Sequence, residues 1–122
     1  MAKSANLGFP RIGAFRELKK TVESFWKGEI QESDLQAKAK EIRKTNWSTQ
    51  KQAGIDIIPS NDFSLYDQVL DHTAMFGAVP HRYKWEGSSN VDTTTYFAMA
   101  RGRQKDGYDV TAMEMTKWFD TN

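Results

Sequence analysis

Cysteine is absent from the 122 residues and histidine occurs only twice. The first absence excludes disulfides and thiolate metal ligands, and two imidazoles alone cannot complete a structural zinc site. A catalytic metal is therefore not expected within this chain. A surplus of one charge is missing too: 17 Lys and Arg stand against 16 Asp and Glu, a net +1. No overall field recruits nucleic acid or an anionic membrane, so any anion binding must come from a local patch. No apolar run approaches the ~20 residues of a membrane span. Met1-Ala2-Lys3-Ser4 also lacks the apolar stretch of a signal peptide. The expectation is a cytoplasmic protein with neither nucleic-acid nor membrane partners. No internal repeat, heptad or low-complexity segment appears. What is present is bulky apolar material, four tryptophans and seven phenylalanines, enough for a core in a chain of one domain's length at most.

The most informative stretch is Leu7-Gly8-Phe9-Pro10-Arg11-Ile12-Gly13 followed by Ala14-Phe15-Arg16-Glu17-Leu18-Lys19-Lys20. Proline fixes φ and lacks a donor, and glycine permits a tight turn, so an apolar strand over 7–12 must end near Ile12. From Arg16 the apolar residues Leu18, Val22, Phe25 and Trp26 fall on one face of a helix, which Gly28 stops. Such a helix start brings backbone N–H groups and cationic side chains to one spot, which suits a carboxylate or phosphate. On the residues alone, an ordinary turn with a solvated basic end is the simpler account, because the glycines lack phosphate-loop spacing.

Ser33 with Gln36 has the spacing of a capping box and opens a second helix. Its face is Leu35, Ala39, Ile42, Asn46 and Ala53, with Trp47 on the flank, and Gly54 closes it. Lys38, Lys40, Arg43 and Lys44 form a solvated face, and Asn46 reads as a hydrogen-bonded residue. Ile55 to Ile58, ended by Pro59, reads as a strand parallel to 7–12. The following Ser60-Asn61-Asp62 is either a ligand-facing loop or local turn chemistry. Ser64 and Asp67 open a third helix with Tyr66, Val69, Leu70 and Thr73 on one face. A loop over 81–90 precedes a short helix capped by Asp92, carrying Tyr96, Phe97 and Ala100, and stopped by Gly102. The cation-bearing 101–107 reads as a flexible loop, and Thr111 with Glu114 as a last capping box.

The stretch over 7–20 resembles the N-terminus of the cobalamin-independent methionine synthases. Three later stretches match that family in order: 57–63 with 66–70, then Met99-Ala100-Arg101-Gly102, then 114–122. The resemblance runs over the whole chain. It implies an α/β fold in which 1–122 are the opening βα units of the N-terminal, folate-binding (β/α)8 (TIM) barrel. Such a barrel takes ~250 residues, so it is incomplete here. The implied reaction moves the methyl of 5-methyltetrahydropteroyltri-L-glutamate to the thiol of L-homocysteine, giving methionine. Zinc, held by the C-terminal part of the longer protein, activates that thiol, and no cobalamin is used. By the same resemblance Arg16, Glu17, Leu18 and Lys19 contact the polyglutamyl folate, joined by Lys117 and Asn122. No catalytic or metal residue falls in this chain, the segment alone is expected to be inactive, and a monomer is expected. The competing expectation is an independent small α/β module that binds acidic ligands without catalysis.

Overall fold

Leu18 and Val22 on one helix and Leu35, Ala39 and Ile42 on the next are all under 7% exposed, with Leu35 at 0%. The intervals of three and four that placed them on single faces are thus the intervals that bury them. In the computed structural model the described residues are 1–105 and 107–113. They form helices α1 (Glu17–Trp26), α2 (Glu32–Gln52), α3 (Gln68–Met75) and α4 (Thr93–Arg101), a 3-10 turn (His81–Tyr83) and strands β1 (Arg103–Lys105) and β2 (Tyr108–Val110). The class is mixed α/β, as expected. The chain divides into two compact units, Met1–Gln68 and Val69–Asn122.

In the first unit α1 packs on α2, and full burial of Leu18, Val22, Leu35 and Ile42 is worth roughly 1.5–3 kcal/mol each, that of Ala39 less. The expected strand over 7–12 is not formed. The chain instead makes one parallel bridge, Ala5 with Ile57, in which the Ile57 N–H donates to the Ser4 carbonyl at 3.0 Å. The parallel sense agrees with expectation, but the pairing lies N-terminal to the predicted segment. Pro10 has no N–H to give a ladder, and Pro59 curtails the partner. Side chains take over the work of the missing ladder. The Asp56 carboxylate accepts from the Ser4 N–H at 2.8 Å and hydroxyl at 3.0 Å, and Asp62 accepts from the Phe9 N–H at 2.8 Å.

Two helix starts differ from the spacing argument. At α2 the back-bonding carboxylate is Asp34, which accepts from the Gln31 N–H at 3.0 Å; Ser33 lies inside the helix and exposed. A carboxylate is a stronger acceptor than the Gln36 amide, and near a helix N-terminus its charge is favoured, so the earlier register wins. At α3 the helix begins at Gln68 rather than after Ser64. The buried Ser64 hydroxyl closes a local turn by accepting from the Tyr66 N–H at 3.1 Å. Leu70 is buried while Val69 is 62% exposed, so the face beginning at Tyr66 does not form. The expected hydrogen bond of Asn46 is present, from Nδ2 to the Pro10 carbonyl at 3.4 Å.

The second unit builds its core on α4, where Tyr96 to Ala100 are buried. Asp92 caps the helix as expected, its Oδ1 accepting from the Thr95 N–H at 2.6 Å. The segment expected to be a flexible loop after Gly102 is an antiparallel hairpin, with Arg103 opposite Val110 and Lys105 opposite Tyr108. Gly102 has φ +76, and a Cβ there would stand 2.7 Å from the Val110 carbonyl oxygen. Only glycine lets the hairpin fold back so closely. Tyr83 anchors the return, its hydroxyl donating to the Thr111 carbonyl at 2.6 Å. The Thr111–Glu114 capping box falls partly outside the described residues.

Candidate functional site

The start of α1 is assembled by backbone geometry. Gly13 takes φ +86 and Arg16 φ +62, both left-handed, which turns the chain sharply enough to bring Ile12 over the helix. The Arg16 N–H donates to the Gly13 carbonyl at 3.2 Å and the Leu18 N–H to the Ile12 carbonyl at 3.1 Å. Glu17 turns back on the same turn: its Oε2 accepts from the Phe15 N–H at 3.0 Å. The Glu17 carboxyl sits below its ordinary value of 4.5, held there first by its own N–H and then by that of Phe15, with smaller help from the Lys20 and Lys38 charges.

Several donors of the first turn are therefore already matched within the protein, and what the site offers an anion is chiefly side-chain charge. Arg16, Lys19 and Lys20 are exposed, and Lys38 of α2 is close enough for its charge to act on Glu17. Lys19 lies 3.7 Å from Glu23, one turn on, with about half of each side chain in solvent; an exposed pair of this kind is weak and yields to a better partner. Arg16 at the N-cap and Lys19 in the first turn can both reach carboxylates of an acidic chain, whereas Lys38 is engaged by Glu41 at 2.8 Å.

Of the residues singled out in sequence, the structure brings Arg16, Glu17, Leu18 and Lys19 together on consecutive positions at this turn. Their states differ. Leu18 is 3% exposed, a core side chain whose N–H is already bonded to Ile12. Glu17 braces the turn. Lys117 and Asn122 lie outside the described residues. In the Ser60-Asn61-Asp62 loop the Asp62 carboxylate holds Phe9, far off in sequence, and the Asp62 carbonyl accepts from Gln68 Nε2 at 2.7 Å. Sequence reasoning missed Arg11, whose guanidinium donates to the Tyr66 carbonyl and ties the turn to the segment before α3; no local pattern signals that contact. Lys38 is a solvated charge as expected, paired with Glu41 on the surface of α2. Among the described residues no group of three His, Cys, Asp or Glu could hold a metal ion, and no helix is long and apolar enough to cross a membrane.

Fold and site together define a mixed α/β protein with a cationic, turn-braced helix start. The chain belongs to the family described as "Cobalamin-independent synthase, N-terminal domain", whose profile matches residues 3–122. It is similar to the 5-methyltetrahydropteroyltriglutamate--homocysteine methyltransferase of Flavobacterium johnsoniae, 60% identical over 98% of this chain and 16% of the relative. The protein of the same name in Salinibacter ruber is 56% identical over all of this chain and 16% of its own length. The probable enzyme of that name in Schizosaccharomyces pombe is 54% identical, again over 16% of its length. The chain thus spans about one sixth of the curated relatives it matches.

Proposed function

We propose that this segment is the folate-tail portion of a methyltransferase that carries the methyl group of 5-methyltetrahydropteroyltriglutamate to homocysteine in the cytoplasm. The observation that carries the reading is the α1 start, where Arg16 and Lys19 stand exposed over a turn braced by Glu17. The relatives' names supply the substrates, and the tail of that folate is a run of carboxylates. In this reading Arg16 and Lys19 bind tail carboxylates, Glu17 holds the turn in shape, and Leu18 anchors the helix to α2. Lys117 and Asn122 add contacts from the last matched motif. The parallel bridge of Ala5 with Ile57, and the exposure of Leu7 and Ile57 beside it, support a place as the opening βα units of a (β/α)8 barrel. Zinc does not fit the described residues, which gather no ligand set. Thiol activation belongs to other parts of the longer protein, which works as a monomer.

In the full-length protein Lys19→Ala should weaken the triglutamate folate much more than the monoglutamate. One lost charge-assisted contact costs about 1.5–3 kcal/mol, on the order of ten- to a hundredfold in affinity. Equal weakening of both forms would show that Lys19 serves the pterin end or the fold instead. The isolated 122-residue chain should form no methionine from the two substrates; turnover by the pure segment would overturn the division of labour.

A further inference from the structure

The second unit holds a group of cations that the methyltransferase reading leaves unused. A cavity of about 230 Å³ is bounded by Lys84, Thr94, Thr95, Arg103, Lys105 and Tyr108. Side chains alternate across a strand, so Arg103 and Lys105 share one face of the hairpin, together with Tyr108, the partner of Lys105. Gln104 and Asp109 lie on the opposite face, bonded to each other at 3.2 Å. The hairpin is thus sorted by charge, with its described carboxylate turned away from the cavity.

On the cavity side Lys84 Nζ stands 5.2 Å and the Arg103 guanidinium 5.8 Å from the centre of the Tyr108 ring. The ring is fixed by its hydroxyl, which donates to the Arg82 carbonyl at 3.1 Å. Among the described residues Lys84, Arg103 and Lys105 pair with no carboxylate. Asp92, the acid at that end of α4, has its Oδ1 engaged by the Thr95 N–H at 2.6 Å. Like charges drawn to one ring, with no counterion among the described residues, repel, and the cost is relieved when an anion enters between them. Thr94 and Thr95 lie on the same wall.

We propose that this cavity binds a small multivalent oxyanion, one bearing phosphoryl or several carboxylate groups, independently of the α1 start. The test is calorimetric titration of the full-length protein at low ionic strength with inorganic phosphate and, separately, with citrate. Saturable binding of at least one is expected. Phosphate alone marks a phosphoryl ligand, and citrate alone marks a polycarboxylate. The Arg103→Gln/Lys105→Gln double variant should lose at least about tenfold in affinity. Lys84→Gln, outside the hairpin, should weaken the same probe and covers the case in which the double variant misfolds. Lys51→Gln, an exposed cation elsewhere, should leave it unchanged. No saturation below about 10 mM, equal loss in Lys51→Gln, or loss in Arg16→Gln/Lys19→Ala with none in the hairpin variant would each overturn the assignment.

Discussion

Two helix starts in this chain solve one problem differently. The first N–H groups of any helix lack intrahelical partners. At α4 a single side chain answers, with Asp92 accepting from Thr95 three residues on. At α1 no side chain of the N-cap residue caps the helix, and Arg16 itself sits in the left-handed region. The Ile12 carbonyl accepts from the Leu18 N–H and the Glu17 carboxylate from its own N–H instead. The first solution is local and cheap. The second requires a bent chain, a glycine and a left-handed arginine, and it leaves an arginine and two lysines facing solvent around one turn. A helix start built for stability alone has no need of that strain.

The largest expected effect tests what both solutions rest on. Leu35→Ala removes a side chain with no exposure from beneath α1 and should cost about 2–5 kcal/mol, seen as a lowered urea midpoint, while leaving the ratio of triglutamate to monoglutamate affinity intact. Next comes Gly13→Ala. A Cβ at φ +86 meets the Glu17 carboxylate, so the brace must swing away and the backbone is strained, for about 1–3 kcal/mol. Unlike Leu35→Ala it should also alter that ratio; an unaltered ratio would separate the turn from the site. Asp92→Ala should cost only about 1 kcal/mol, and a loss greater than that of Gly13→Ala would invert the contrast between the two starts.

The smallest effect is one of pH. Because the folded protein holds the Glu17 carboxyl below its ordinary 4.5, its contribution to stability is present above that value and is lost as pH falls through the folded value. Thermal midpoints of the wild type and Glu17→Gln should therefore differ at neutral pH and converge in acid. A gap that stays constant down to pH 3 would show that Glu17 acts by shape rather than charge.

How much of this was legible follows from the range of each interaction. Leu18 and Val22 of α1, Leu35, Ala39 and Ile42 of α2, and the Asp92 and Gly102 boundaries of α4 depend on neighbours within a few residues, and the sequence shows them. Ala53 of the expected α2 face is instead exposed and Gln50 buried. The strand over 7–12 was misplaced because Ser4 and Phe9 are held by Asp56 and Asp62, more than 50 residues away, and no periodicity encodes such a tie. The α2 start shifted because two overlapping cap patterns competed and charge decided between them. At the candidate site the basic turn was visible, whereas the bracing role of Glu17 depends on a left-handed Arg16 that no propensity favours. The hairpin after Gly102 was hidden because a polar, glycine-bearing run looks the same whether it dangles or pairs.

The two carboxylates that hold the N-terminal segment also set an order of events during synthesis. Ser4 waits for a partner 52 residues behind it and Phe9 for one 53 residues behind. At about 5–20 residues per second on the ribosome, the second arrives roughly 3–10 s after the first. Through that interval α1 and much of α2 can already form and pack, whereas Ser4 and Phe9 have no carboxylate to dock on. The beginning of the chain is thus among the last parts of the first unit to find its place. A bulky N-terminal fusion would act on that final docking step rather than on the helical pair made before it.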